Sequence, residues 1–330
     1  MDKVERLHAT IAGDEVDRVA VSAWRHQPVD DQSAETFAAA TLMFQRDFDF
    51  DFVKVTPASS YCIRDWGVSD NWCGHPHGTR EYGAPLIQAA ADWGELSLQE
   101  PRDGQMGSVL RALELIHSEL GSATPFIQTI FSPLGQAANM IGAERFLSQL
   151  RRHPDMVLAG LDMITEQTLR FIECARETGI SGVFYALQWA SYSNLSETEY
   201  RQFARPYDLR ILEATSDLWL NVVHVHGHDV MFAHVADYPA AIINWHDRET
   251  WPSLGEALSE WPAAVCGGVR QEETLVQGTA EEVRSEAVDA IRSTGGRRLI
   301  LGTGCVTPIV APYGNLRALR DVVESVNIEI

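Results

Sequence analysis

No stretch of this 330-residue chain approaches the roughly 20 consecutive apolar residues that a membrane-spanning helix needs. Basic residues are also scarce. Lys and Arg total 26 against 46 Asp and Glu, a formal net charge of −20. Arg151-Arg152 and Arg297-Arg298 are only pairs. The clustered basic face that neutralises phosphates is missing, which excludes nucleic acid as a partner. A small anionic substrate stays open, because a few pocket cations suffice locally. Cysteine is sparse, with five residues at irregular spacing and no CxxC, so reduced thiols are expected rather than a disulfide framework. The opening Met1-Asp-Lys-Val-Glu-Arg-Leu7 is charged and lacks the apolar centre of a signal peptide, so a cytoplasmic protein is expected. There is no low-complexity segment and no Ser/Gly linker, consistent with one domain over residues 1–330.

What is present is an alternation of short apolar runs with longer helical patterns. Candidate strands cover 18–23, 52–55, 125–130, 182–186, 220–224, 241–244, 263–267 and 299–302. Helices separate most of them. Residues 33–46 place Phe37, Ala40, Thr41 and Phe44 on one face, and Pro154 opens a long helix that ends before Gly179. Ser196 with Glu199 and Thr279 with Glu282 fit the S/T-x-x-E capping box. Leu316, Leu319, Val322, Val323 and Val326 form one stripe on the last helix. Eight such units predict an α/β fold, a (β/α)8 TIM barrel with an N-terminal helical extension and a long insertion between strands 2 and 3. The structural alternative is a doubly wound open sheet. Its dinucleotide-binding form is weakened because no G-x-G-x-x-G follows the first strand.

Barrel active sites are built at the C-terminal ends of the strands. Those ends carry Trp24-Arg25-His26, Lys54-Val-Thr56, Ser132-Pro133, Gln188-Trp189, His224-Val-His226, Asn244-Trp245-His246, Gly267-Gly268 and Gly304-Cys305. Side chains alternate faces along a strand, so His224 and His226 point the same way. With Cys305 brought in by the fold they make three metal ligands, and three protein ligands with one open position is the usual catalytic zinc arrangement. His228 or Asp229 is placed to orient a liganding imidazole from outside or to contribute a fourth ligand. Arg25 and His26 are candidate catalytic residues, His26 because an imidazole changes charge near neutral pH. Arg25, Gln188, Trp189 and His246 are candidate substrate contacts. Cys73-Gly-His75-Pro-His77 is a compact rival cluster in a Gly/Pro loop, better read as a turn, from which His75 could line the pocket. In Asp47-Phe-Asp-Phe-Asp-Phe52 the acids alternate at strand spacing, which predicts three solvated carboxylates.

Several segments resemble the uroporphyrinogen decarboxylase superfamily in order and wording. These are Arg6-Leu7 with Gly13-Asp-Glu-Val-Asp17-Arg18, Trp24-Arg25-His26, Phe50-Asp-Phe-Val-Lys54, Phe131-Ser-Pro-Leu-Gly135, Leu195-Ser-Glu with Phe203-Ala-Arg-Pro206-Tyr207, Gly278-Thr-Ala-Glu-Glu-Val283, and Leu301-Gly-Thr-Gly-Cys305-Val-Thr-Pro308. That superfamily includes zinc-dependent methylcobamide:coenzyme M methyltransferases and is related to cobalamin-independent methionine synthase. Its methyltransferase-like members carry His-x-Cys after strand 5 and Cys after strand 8. His224 and Cys305 match those positions, and His226 stands at the second. The resemblance therefore implies a Zn2+ enzyme activating a small thiol or oxygen nucleophile, with a corrinoid on a partner protein as methyl donor. Its decarboxylase branch implies instead a carboxy-lyase acting on a tetrapyrrole-like acid without metal. Decarboxylases have a second arginine soon after the first, an aspartate after strand 2 and a histidine after strand 8. Here those places read His26-Gln-Pro-Val-Asp30, Lys54-Val-Thr56 and Gly302-Thr-Gly-Cys305. A metal-dependent hydrolase ranks lower, because barrel hydrolases with His-x-His carry it after strand 1. A non-catalytic metal or corrinoid carrier is the remaining option. Apolar helical faces are also compatible with a homodimer.

Overall fold

Runs rich in Val, Ile and Phe, apolar on both faces, are what a parallel strand buried between a barrel interior and a helical layer requires. In the computed structural model, which describes residues 1–325, such runs form eight parallel strands. In chain order they are β1 (Ala20–Val21), β2 (Val53–Val55), β5 (Phe126–Phe131), β6 (Gly182–Leu187), β7 (Val222–Val225), β8 (Ile242–Trp245), β9 (Ala264–Val269) and β10 (Leu299–Thr303). Two more short strands, β3 (Asp70–Asn71) and β4 (Glu81–Tyr82), pair antiparallel outside this sheet. The sheet runs β1-β10-β9-β8-β7-β6-β5-β2 and curls into a TIM barrel with helices outside. Every expected strand is found, with ends moved by no more than two residues.

The seam between β1 and β2 is closed largely by a side chain. The Asp51 amide donates to Val21 O (2.9 Å), and the Val21 amide returns a bond to Asp51 Oδ2 (2.7 Å). Asp51 is fully buried and also accepts from Arg6 Nη1 (2.8 Å) and from both terminal nitrogens of Arg18 (2.8 and 3.0 Å). Arg6 comes from the N-terminal helix Lys3–Ala12, which begins at an Asp2/Glu5 capping box and stops at Gly13 in the left-handed region. The extension therefore fastens the barrel. This corrects the expectation that Asp47, Asp49 and Asp51 form one solvated face. The helix Ala34–Phe48 runs through Asp47, and Asp49 is its left-handed cap (φ 54°). The alternation straddles a helix end and never lies on one strand.

The other helices follow their signals, and of the stripe expected on the last helix, Tyr313–Ser325, Val326 lies outside the described residues. Pro154–Glu177 starts on its proline, and capping boxes open Glu197–Phe203 and Ala280–Thr294. No described helix is long and apolar enough to cross a membrane. The connection from β2 to β5 carries the β3–β4 ribbon, short turns and the helix Gly104–Leu120. Its first half folds over the C-terminal end of the barrel and brings His75, His77 and Thr79 to the mouth. Gly78 is the point of closest approach: it has φ +74°, and a Cβ there would meet His26 Cβ at 2.6 Å. Across the mouth His77 Nε2 meets Glu272 Oε1 at 2.5 Å.

Candidate metal centre

At the C-terminal end of the barrel, His224 and His226 from β7 and its exit meet His246, one residue past β8, and Cys305, just past β10. One ligand atom from each of the four lies within 4.8 Å of all the others. Cys305 Sγ is 3.6 Å from His224 Nε2 and 3.6 Å from His226 Nδ1, and His226 Nδ1 is 3.4 Å from His246 Nε2. Zinc bonds of about 2.0–2.1 Å to nitrogen and 2.3 Å to sulfur, at tetrahedral angles, put ligand atoms about 3.3–3.6 Å apart. The donor set, and the three of its spacings given by these pairs, therefore fit a zinc ion. His246, expected among the substrate contacts, belongs to this cluster. Its signal was available: it occupies the exit of the next strand, one place around the barrel.

The tautomer of His224 follows from its surroundings. Its Nδ1 lies 2.7 Å from Asn244 Oδ1. Both Asn244 amide hydrogens are engaged, donating to Cys266 O (2.9 Å) and Thr303 O (3.0 Å). The amide oxygen must therefore accept, so His224 carries its proton on Nδ1 and turns the lone pair of Nε2 toward Cys305. This is the role expected of His228 or Asp229. Asp229 instead accepts from Ser193 Oγ (3.1 Å), and His228 is an exposed rim residue 3.9 Å from Glu249.

Burial alone would raise the Cys305 thiol, but the facing imidazoles of His224 and His226 outweigh it and hold the thiol well below its ordinary range. A thiolate is the form a metal requires. Burial pushes the His224 imidazole down, against the pull of Cys305. For His246 burial also pulls down, but bonding and charge from Cys305, with Glu249 beyond it (Nδ1–Oε2 3.4 Å), move it up.

The cluster opens into a cavity of about 630 Å³. Its walls include Trp24, Phe131 and Phe184, and Glu249, Glu272 and Glu273 also face it. Lys54 is the only lysine in its lining, and no arginine lines it. Lys54 Nζ sits 4.3 Å from the centre of the Phe184 ring, and burial drives its pKa down to about 7. His26 and Gln188 line the cavity, as does His75 of the rival histidine pair. Among the described residues, the barrel cluster is the one group of three or more His, Cys, Asp or Glu side chains close enough together to hold a metal ion. Burial, and then the charge of Lys54, push His26 down to about 3. It is therefore a neutral hydrogen-bonding group at physiological pH, not one that changes charge there. Arg25 and Trp189 are not among the lining residues. Arg25 lies against Phe44 (4.7 Å) and Tyr313 (5.8 Å), and Trp189 packs edge-on against Phe146 (5.3 Å). Alternation explains both: with Trp24 and His26 facing in, Arg25 faces out, and with Gln188 facing in, so does Trp189.

Comparison with known proteins agrees with this architecture. A family model described as uroporphyrinogen decarboxylase (URO-D) matches residues 30–326. The chain belongs to the uroporphyrinogen decarboxylase family. Relatives of both branches are similar to it. The methylcobamide:CoM methyltransferase MtbA of Methanosarcina mazei is 23% identical over 217 residues, covering 66% of this chain and 62% of that protein. The chain thus matches under two thirds of that relative's length. The uroporphyrinogen decarboxylase of Chlorobaculum parvum is 26% identical over 257 residues, covering 73% of this chain and 70% of that one. A solved methyltransferase from Methanosarcina mazei superposes with a TM-score of 0.87 at 19% identity, covering 98% of this chain and 99% of that one. A B12-independent methionine synthase from Shewanella gives 0.62 at 11% identity, covering 93% and 92%. At these identities the two structures speak to the fold alone. Family membership makes an enzyme, a transferase or a decarboxylase, the expectation for this chain.

Proposed function

We propose that this member of the family is a zinc-dependent, methyltransferase-like enzyme that activates a small thiol or oxygen nucleophile at the barrel mouth. The observation that carries the reading is the gathering of His224, His226, His246 and Cys305 on the cavity wall, with one ligand atom of each within 4.8 Å of the others and three of those pairs at 3.4–3.6 Å. In this reading His224, His226 and Cys305 are the lasting ligands, and Asn244 locks His224 in the liganding tautomer. His246 is the donor best suited to give way to an incoming nucleophile, because its other ring nitrogen is backed by Glu249, which offsets charge if Nε2 takes the nucleophile's proton. Zinc, when bound, supplies a Lewis acid that lowers the pKa of a coordinated thiol or hydroxyl, and one thiolate among four donors leaves it more positive than a two-thiolate set would. Trp24, Phe131 and Phe184 keep that part of the cavity apolar, and the His77–Glu272 contact covers it. The methyl group would arrive from a corrinoid carried by a partner protein, as the name of the methylcobamide-dependent relative suggests.

The decarboxylase alternative asks the cavity to hold a molecule with eight carboxylates. A single lysine and no arginine in the lining argue against it.

The test is metal content after purification without added zinc, with Cys305→Ala and His224→Ala alongside. Near-stoichiometric zinc in wild type and its loss in both variants is expected. Equal metal in all three sinks the reading. Incubation with methylcobalamin and a thiol panel then tests methyl transfer, and incubation with uroporphyrinogen tests carboxylate loss.

A further inference from the structure

β8 stops pairing with β9 before the chain reaches His246. The ladder runs Ile242–Ala264, Ile243–Val265 and Asn244–Cys266 and ends there, while β9 continues along β10 through Gly267, Gly268 and Val269. Every second residue of β9 turns its peptide groups toward β8. Ala264 N donates to Ala241 O (3.0 Å), and Cys266 O accepts from Asn244 Nδ2 (2.9 Å). Alternation points the amide and carbonyl of Gly268 the same way, where β8 no longer runs beside them.

Two consecutive side chains meet those groups instead. Asp247 Oδ1 accepts from Gly268 N (3.1 Å), and Arg248 Nε donates to Gly268 O (2.8 Å). The second Asp247 oxygen lies 3.7 Å from Arg248 Nε, and the carboxylate is buried. Glycine makes room for it: a Cβ on Gly267 would overlap the carboxylate, 2.8 Å from its carbon, and Gly268 has φ +120°.

His246 sits inside this arrangement. Asp247 N donates to Trp245 O (2.8 Å), which makes a three-residue turn centred on His246. From the exit of β10, Gly304 abuts the same turn. A Cβ there would stand 2.8 Å from His246 Cα and 2.9 Å from Trp245 O. The turn carries the imidazole inward, to 3.4 Å from His226.

We propose that Asp247 is a positioning residue whose carboxylate, bonded with Arg248 to the Gly268 peptide, replaces the lost ladder and holds His246 in the cluster. The clamp stands on the backbone geometry, whereas its bearing on nucleophile activation rests on the reading of His246 as the displaceable donor. Without the clamp, the β8 exit is tied on its β9 side by Arg248 alone, and the buried His246 ring is free to swing toward solvent.

Carbethoxylation by diethyl pyrocarbonate, read residue by residue by mass spectrometry on metal-stripped full-length protein, measures how often His246 leaves the wall. Asp247→Ala, shown folded by circular dichroism, is expected to raise the His246 rate at least about fivefold while exposed His228 stays within about twofold. Asp247→Asn, whose amide oxygen can still accept from Gly268 N, is expected to return the wild-type rate. Gly267→Ala keeps Asp247 but crowds its carboxylate, and is expected to behave like Asp247→Ala. In wild type, with no substitution, the Gly268 amide is expected to exchange its hydrogen within about tenfold of the ladder amides of Ala264 and Val265. An unchanged His246 rate in Asp247→Ala or Gly267→Ala, no recovery in Asp247→Asn, an equal rise at His228, or fast exchange at Gly268 would each overturn the proposal. A wild type that takes up no zinc would sink the proposed function and leave these metal-free results standing.

Discussion

Asn244→Ala removes a side chain that touches no ligand and still is expected to cost metal affinity. Asn244 makes three buried hydrogen bonds: it accepts from His224 Nδ1 (2.7 Å) and donates to Cys266 O (2.9 Å) and Thr303 O (3.0 Å). Without the acceptor, nothing holds the His224 proton on Nδ1, and the imidazole can turn or protonate on Nε2, which faces Cys305 at 3.6 Å. Loss of such an outer partner typically weakens metal binding by about 10–100-fold, or roughly 1.4–2.7 kcal/mol. Two carbonyls also lose their donor, at about 1–3 kcal/mol each where no water replaces it. A fall in unfolding stability should therefore accompany the fall in affinity. Competition with a chromophoric chelator, on protein shown folded by circular dichroism, measures the zinc affinity, and urea denaturation of the metal-stripped protein measures the stability. Metal affinity within twofold of wild type, alongside lost stability, would refute the tautomer argument and leave Asn244 a purely structural residue.

Three further outcomes follow from the same geometry. Asp51→Ala should lower unfolding stability in urea by about 2–3 kcal/mol, because it leaves the buried Val21 amide without its acceptor and takes one of two carboxylate partners from each of Arg6, which keeps Asp17, and Arg18, which keeps Glu324; a loss under 1 kcal/mol would show that the seam does not depend on the carboxylate. Asp208 accepts from the hydroxyls of Tyr185 (2.7 Å), Tyr200 (3.0 Å) and Tyr238 (3.0 Å), and burial pushes it up to about 6. Since the folded state holds its proton more tightly than the unfolded chain, its contribution is full below about pH 4 and fades as pH rises through 6, on the order of 3 kcal/mol in all. Asp208→Asn should flatten that part of the stability–pH curve, and an unchanged slope would count against the raised value. Arg25→Ala should leave metal content and ligand affinity within about twofold while lowering thermal stability, since the guanidinium packs on Phe44 and Tyr313 outside the cavity; a tenfold loss of ligand affinity would return Arg25 to the site.

Eight strands, their order of helices and caps, and the His224, His226 and Cys305 positions were legible because each is a local pattern: an apolar run, a capping box, or a ligand type at a strand exit. Family membership was legible for the same reason, as ordered motifs along most of the chain. Other features needed the fold. A strand exit such as Trp24-Arg25-His26 or Gln188-Trp189 names adjacent residues, yet only alternate ones can face inward, and which ones depends on where the strand enters the barrel. The same limit hid Asp51, whose alternating neighbours looked like one strand until the helix Ala34–Phe48 was seen to end among them.

Residue types and spacing along the chain thus determined the barrel and three members of its His–Cys cluster. Tertiary structure decided what stands beside each donor. Parallel pairing of β7 with β8 sets Asn244 opposite His224, and the exit of β8 brings in His246 as the fourth member of the cluster. Curling of the sheet leaves Lys54 as the lone lysine in the cavity lining. Such relations cross from strand to strand, and they are set by register and closure, for which a single strand carries no local signal.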